Sequence, residues 1–595
     1  MRAVYLVYFL FFIGSLANAQ EDFLAKQYFG DGEFEKAVVF YEKLVDKNPR
    51  RTDYSEALIA CYQQLERYED AENFLLNKIQ EEFTFPTFYI ELGYNYTLQN
   101  QPEKATDYYQ KAIQSLEQNP NFGYSVGYRF QKYALLDEAI AAYTTAMRLK
   151  PELNYNFQLA RIYGEQGDIE KMFQSYLKLV YEGKSSRARV LSNIDDFITE
   201  DATNTNNTIL RKTLLLNAQK NPDILWNELL SWLFVQQKQY KSAFAQEKAI
   251  FKRTDASSFD RLNNLGEITQ ENSDMEIAKD IFGYIEEKAT DPRTKLNAQL
   301  SLIDIDLLDA NDKQFNSIEK EFEALLQAYG YESKTLQLQI AYANFLTFKK
   351  EQPAKAINIL KKGLDLPLNR FGKAYVKMAL GDILVYDQRF NEALIYFSQI
   401  QKSLKNDVIG QDARYKVAQT SFYKGDFNWA LTQLKVLRGS TSQLIANDAM
   451  QLSLLISDNS LEDSTQTALK KYARADLLAY QNKTQSAIAS LEDILQNHKG
   501  EKIEDEALLK QAELLELQNK YDAARFNYQK IIEFYASGIL ADDAHFRLAQ
   551  LYENKLNEPE KAKPHYEKII YNYQDSYYFP QARKNFRKLR GDLIN

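Results

Sequence analysis

Three histidines, one cysteine and a short glycine–lysine–serine run are the residues here with the most chemical potential. His498, His545 and His565 lack the four-residue spacing and neighbouring glutamate of a zinc-protease helix. His545 and His565 are expected on adjacent helices, where they could share a surface but would lack a third ligand. Cys61, beside Tyr62, reads as an inert buried thiol rather than a nucleophile. Gly183-Lys184-Ser185 has no upstream glycine to cradle a phosphate. The acidic run Asp304 to Asp312 is expected to be a turn between two helices; it lacks the glycine and terminal glutamate of a calcium loop. No catalytic residue, cofactor or metal is assigned from these groups, and the chain reads as a non-enzyme.

What must position any functional side chains is a scaffold, and composition limits its kind. The 595 residues suggest roughly four globular domains at ordinary domain size. Only 21 Gly and 12 Pro disfavour a many-stranded sandwich or barrel, which needs frequent turns. One Cys excludes an internal disulfide framework. Lys and Arg number 73 against 82 Asp and Glu, well mixed, which argues against a nucleic-acid partner. The oddity is 41 Tyr and 35 Phe beside three Trp.

The first residues read as an address. Arg2 precedes an apolar stretch from Ala3 to Ile13, and Ala17-Asn18-Ala19 offers small residues to a signal peptidase. Cleavage after Ala19 is expected, giving a mature chain from Gln20. No Cys stands at that junction for a lipid anchor, and no later stretch is apolar enough for a stable transmembrane anchor. The periplasm is the expected compartment, with secretion the lesser alternative.

Small residues then form a ladder. Ala37, Ala71, Ala105 and Ala139 lie 34 residues apart, and Met172 follows after 33. The same position recurs at Ala243, Ala278, Ala356, Ala393, Ala430, Ala487, Ala524 and Ala562. The gaps of 71 and 78 residues each fit two periods and hide a degenerate unit, giving about fifteen repeats. The gap of 57 is one repeat plus a helical segment expected from Leu444 to Ile456. Each unit reads as two amphipathic helices, with Leu92, Gly93 and Tyr96 on one buried face and Ala105, Tyr109 and Ala112 on the next. Asn100, Gly167 and Gly425 fall in the turns between paired helices.

This pattern of large, small and aromatic positions resembles the tetratricopeptide repeat family over most of Asp22 to Tyr573. The resemblance implies an all-α superhelical solenoid of antiparallel helix pairs. Met172 at the small position and Ser421 at the helix-one aromatic position depart from the family pattern. The run from Tyr415 to Asn459 further resembles exported multi-repeat proteins of Bacteroidota-like bacteria, implying origin and compartment. The expected organisation is a signal peptide at 1–19, N-terminal repeats at 20–183 and a degenerate repeat or soft boundary at 184–221. Middle repeats, including one degenerate unit, follow at 222–438, then an additional helix and loop at 439–466. C-terminal repeats at 467–573 and a basic capping helix at 574–595 complete the chain.

Family geometry implies that the first helix of each pair lines a binding surface. The resemblance places Ile90, Tyr94, Tyr124, Tyr128, Phe157, Arg161, Tyr375, Met378, Tyr415 and Phe422 on it by their offsets from the ladder. Such an aromatic row suits an extended peptide or partner helix, although its rings could equally pack between helices. The expected function is a non-catalytic protein-binding scaffold or adaptor in the bacterial envelope, with an unidentified envelope protein as partner. The alternatives are a carbohydrate- or peptidoglycan-binding accessory protein, for which rings could stack on a glycan, and an envelope hydrolase.

Overall fold

The computed structural model describes residues 20–81, 84–254, 258–439, 442–460 and 465–592. The expected signal peptide at 1–19, and parts of the turn and loop expected on either side of the additional helix, lie outside these residues. The described chain is helical, in antiparallel pairs stacked as a solenoid, and falls into two compact units, Met1–Asp255 and Ala256–Asn595.

The pair Thr87–Leu98 and Pro102–Gln114 shows why this sequence folds as it does. Leu92, Gly93, Tyr96, Ala105, Tyr109 and Ala112 are all buried, so the two apolar stripes meet. A side chain at Gly93 would collide with the Tyr109 ring; the backbone of the first helix rests directly on that ring. Gly127 on Tyr143, Gly266 on Phe282 and Gly381 on Phe397 repeat this contact, always with the partners sixteen positions apart. The ladder residues are the complementary small positions on the second helix: Ala37, Ala71, Ala139 and Ala243 are fully buried, and Met172 is 1% exposed.

Each of the thirteen ladder residues is preceded, five positions earlier, by a residue in the left-handed region, from Gly32 and Glu66 to Asn519 and Asn557. This is the helix-ending motif in which an amide reaches back over the last turn. Gln101 N donates to Tyr96 O at 2.9 Å, and Asp168 N to Tyr163 O at 2.8 Å. Gly167 and Gly425 adopt this backbone without a Cβ penalty, whereas Ala134 and Gln388 adopt it at a cost that the packed helix pair offsets.

The tyrosine excess has a structural cause as well as a repetitive one. Four residues after the ladder position, Tyr109, Tyr143 and Tyr528 bury their rings and send their hydroxyls back to the first helix. Tyr109 Oη meets Thr97 Oγ1 at 2.9 Å, Tyr143 donates to Gln131 Oε1 at 2.9 Å, and Tyr528 donates to Glu516 Oε1 at 2.5 Å. Phenylalanine would fill the space but leave those polar tips unbridged.

In Met1–Asp255 the 71-residue gap contains helices Arg187–Asp195 and Thr205–Lys220, a pair without the small-residue signature. In Ala256–Asn595 the 78-residue gap contains Pro292–Asp309 and Asp312–Tyr329. The sequence expectation of an acidic turn from Asp304 is corrected here: Asp304 to Asp309 finish a helix, and the turn is Ala310-Asn311. Asn311 caps the next helix with Gln314 in a reciprocal box. The additional helix spans Gln443–Ser460, and the basic helix Phe579–Arg590 packs Phe586 and Leu589 onto the last repeats.

Candidate binding surface

All ten residues placed by offset lie on first helices, but their surroundings differ. In Met1–Asp255, Tyr124 and Tyr128 are 50% and 58% exposed on Gly123–Lys132, one turn apart. Their rings run nearly parallel, 8° between planes and 6.0 Å between centroids. Tyr94 lies face to face on Tyr133 at 3.8 Å, so one side of its ring is already covered. Phe157 is held edge-on by Tyr176 and covered by the Arg189 guanidinium at 4.9 Å. Arg161 is exposed beside a hollow of about 380 Å³ lined also by Met172, Tyr176 and Asp196.

Two placements are corrected. Ile90 is fully buried among Ile59, Phe88 and Leu92, because the neighbouring helices cover that face. Phe422 is fully buried against Phe427, within its own helix pair. Neither can contact a partner in this structure.

Beneath the tyrosines of the first unit lies a charged knot that offsets alone do not reveal. Arg129 reaches Glu91 on the preceding first helix and Glu56 on the one before that. Tyr133 donates to the second oxygen of Glu91 at 2.6 Å. The Glu91 side chain is 2% exposed and that of Arg129 10%, so the guanidinium fixes three successive first helices from inside.

In Ala256–Asn595, Tyr375 and Met378 line a groove of about 620 Å³ with Leu336, Ile340, Phe348 and Asp382. Tyr375 is 56% exposed. Farther along, the first helices carry charge. Lys416 pairs with Asp382 at 3.0 Å, Lys510 with Asp476 at 2.7 Å and Arg547 with Glu513 at 3.5 Å, each pair 34 positions apart. Tyr415 is half-buried between the carboxylates of Asp412, Asp448 and Asp476, and burial pushes its hydroxyl well above the usual phenol range. Burial, and then the Asp382 and Asp448 charges, raise the Asp412 carboxyl, which Lys416 only partly counters.

The histidines and cysteine are packed rather than reactive. His545 Nδ1 and His565 Nδ1 are 3.0 Å apart on adjacent helices, one imidazole donating to the other. Burial, with His565 and Lys568 nearby, lowers His545 to about 4, and burial also lowers His565. Among the described residues no group of three or more His, Cys, Asp or Glu side chains could hold a metal. Cys61 is fully buried, which raises its thiol to about 12 and suppresses the thiolate. No helix among the described residues is long and apolar enough to cross a membrane.

Models described as Tetratricopeptide repeat match residues 86–117, 153–181, 472–539 and 543–576. No curated protein matches the sequence. Among solved structures, that of Naa15/Naa10 bound to HypK-THB aligns at 12% identity and TM-score 0.32, over 91% of this chain and 88% of that one. The APC/C hetero-tetramer Cut9-Hcn1 aligns at 11% identity and TM-score 0.22, over 97% and 98%. At these TM-scores the overlays say nothing of this chain's partners. The matched segments include the Gly93–Tyr109 pair and the helices around Ala524 and Ala562, where ring, small residue and left-handed turn recur together; these segments are similar to tetratricopeptide repeats.

Proposed function

We propose that this chain is a non-catalytic scaffold of the bacterial cell envelope, exported by the leader at 1–19, that holds a polypeptide partner on its first-helix surface. A general protein-binding role goes with the repeat architecture. The observation that carries the more specific reading is the Tyr124–Tyr128 pair: two parallel rings, each at least half exposed, on a first helix rigidly supported by the buried Arg129 knot. Large exposed rings on a fixed backbone lose little entropy on binding and contribute most of the energy at protein interfaces. The leader motivates the compartment.

Affinity capture from envelope extract tests this, comparing the native chain with Tyr124→Ala/Tyr128→Ala. Retention of a defined protein by the native chain and its loss from the double variant is expected. Equal retention by both would remove the tyrosines from the interface. Fractionation of cells that express the full chain tests compartment, with processed protein expected in the periplasmic fraction.

A further inference from the structure

Between the second helices Asp312–Tyr329 and Pro353–Leu364 lies a hollow of about 490 Å³. Its floor is the helix Leu336–Phe348, through Gln339 and Tyr342, each 1% exposed. Leu336, Ile340 and Phe348 of the same helix line the groove beside Tyr375, so the hollow lies on the opposite side of that helix.

Most polar atoms of the floor and wall satisfy one another. Tyr342 donates its hydroxyl to Glu323 Oε1 at 3.1 Å. Lys355 Nζ reaches the same oxygen at 3.3 Å and Glu319 Oε1 at 2.8 Å. Gln339 Nε2 donates to Glu332 O at 3.0 Å and to Thr335 Oγ1 at 3.1 Å, which fixes the direction of its amide. Gln339 Oε1 is then left buried with no hydrogen-bond partner among the described residues. Gly363 passes beside it without a side chain; a Cβ there would stand 3.3 Å from the oxygen. The rim adds Tyr331, 51% exposed, and the exposed side chains of Asn358 and Lys362.

These groups discriminate between ligands. An orphaned buried acceptor calls for a donor. A carboxylate only accepts and cannot supply one. An ammonium donates, but Lys355 and Lys362 both line the hollow and repel it. A neutral hydroxyl donates and accepts at once, so it can give its hydrogen to Gln339 while accepting from Asn358 or Lys362. The Tyr331 ring offers an apolar face to a carbon skeleton. The volume falls among those of small-molecule sites, roughly 300–1,000 Å³.

We propose that this hollow binds a neutral saccharide, with a hydroxyl donating to Gln339 Oε1 and a sugar ring laid on Tyr331. The site is independent of the polypeptide surface at Tyr124 and Tyr128 and gives the chain a second kind of partner.

Saturation-transfer NMR on the full chain tests it, with maltose, cellobiose and N,N′-diacetylchitobiose as probes and the dipeptide Ala-Ala as control. At least one disaccharide should receive saturation from the protein, and the dipeptide should not. Titration calorimetry with that sugar should show Tyr331→Ala and Gln339→Leu each weakening binding about tenfold. Gln339→Leu also removes the two Nε2 bonds, so Tyr331→Ala, at an exposed position, carries the test if the melting curve of Gln339→Leu falls. Asn358→Ala/Lys362→Ala should weaken binding severalfold. Tyr124→Ala/Tyr128→Ala should bind the sugar as the native chain does. Loss in that variant with full binding by Tyr331→Ala puts the sugar on the exposed ring pair and overturns the proposal. Binding of none of the three disaccharides, or transfer to the dipeptide alone, also overturns it.

Discussion

The first helices of Met1–Asp255 present rings, whereas those of Ala256–Asn595 present carboxylates set between tyrosines. The repeat frame is the same in both, since Gly93 on Tyr109 in one unit and Gly381 on Phe397 in the other make the same contact. What differs is where charge is placed relative to that frame. In the first unit the charge is inside: Arg129 is nearly buried and bridges Glu91 and Glu56, so the surface above is left to Tyr124 and Tyr128. In the second unit it is spread along the first helices, as pairs 34 positions apart. Buried charge ties first helices together in the first unit, whereas in the second the pairs between first helices lie partly exposed.

The largest effect that would sharpen this contrast is expected from Arg129→Met. It strands the Glu91 carboxylate in a site where its side chain is 2% exposed. Removing one member of a buried pair costs about 3–5 kcal/mol. Hydrogen exchange should accelerate across Thr52–Lys132 and leave Ala256–Asn595 unchanged; uniform acceleration would break the distinction between the units.

Ala105→Leu should cost about 1–3 kcal/mol, because overpacking a filled core forces neighbours off their preferred conformations. Ala105 is 3% exposed against the Gly93 helix, so the loss should appear as a lower melting temperature of the first unit.

A pH effect carried by buried imidazoles is expected in the second unit. His545 and His565 both have folded-state values below that of a free imidazole, so the unfolded chain binds more protons. Stability from this pair is therefore full above about pH 6.5 and falls as pH drops toward 4. Asp543 on the same helix, raised by burial to about 6, acts in the opposite sense over this range, so the imidazole part is read as the difference between the native chain and His545→Phe in hydrogen exchange of Ala541–Asn572 at pH 7 and pH 5. The native chain should lose more protection than His545→Phe over that drop.

The smallest effect is expected from Lys279→Met, which removes an exposed pair with Asp306 worth about 0–1 kcal/mol. A melting shift as large as that from Arg129→Met would mean the second unit is held by its exposed charges, contrary to the contrast drawn.

The frame of this protein was legible because it depends on residue size at fixed spacing. Thirteen small positions fix thirteen helix pairs, and even Met172 is accommodated, lying against Gly164. The left-handed turns were legible only where Asn or Gly filled them; Glu66, Ala134 and Lys238 adopt the same backbone with no local signal. The surface was less legible. An offset tells which helix carries a residue but not whether a neighbouring helix covers it, so Ile90 and Tyr124, equivalent by offset, end with 0% and 50% exposure. Asp304 to Asp309 read as a turn because acids are common there, but packing on Ile303 and Ile305, both buried, keeps them helical. The acid–base pairs carried a signal: opposite charges 34 positions apart in repeats of 37 or 38 residues, so that each cation sits three or four residues, one helical turn, before the position of its acid.

The most direct measurement is site-specific photocrosslinking in cells from position 128, on a first helix, compared with position 39, on the second helix Phe34–Lys47. Val39 is 49% exposed and Tyr128 58%, so both probes reach solvent equally well. A scaffold that binds through its first helices gives a discrete protein adduct from position 128 and none from position 39. The same adducts from both positions, or none from position 128, would contradict it.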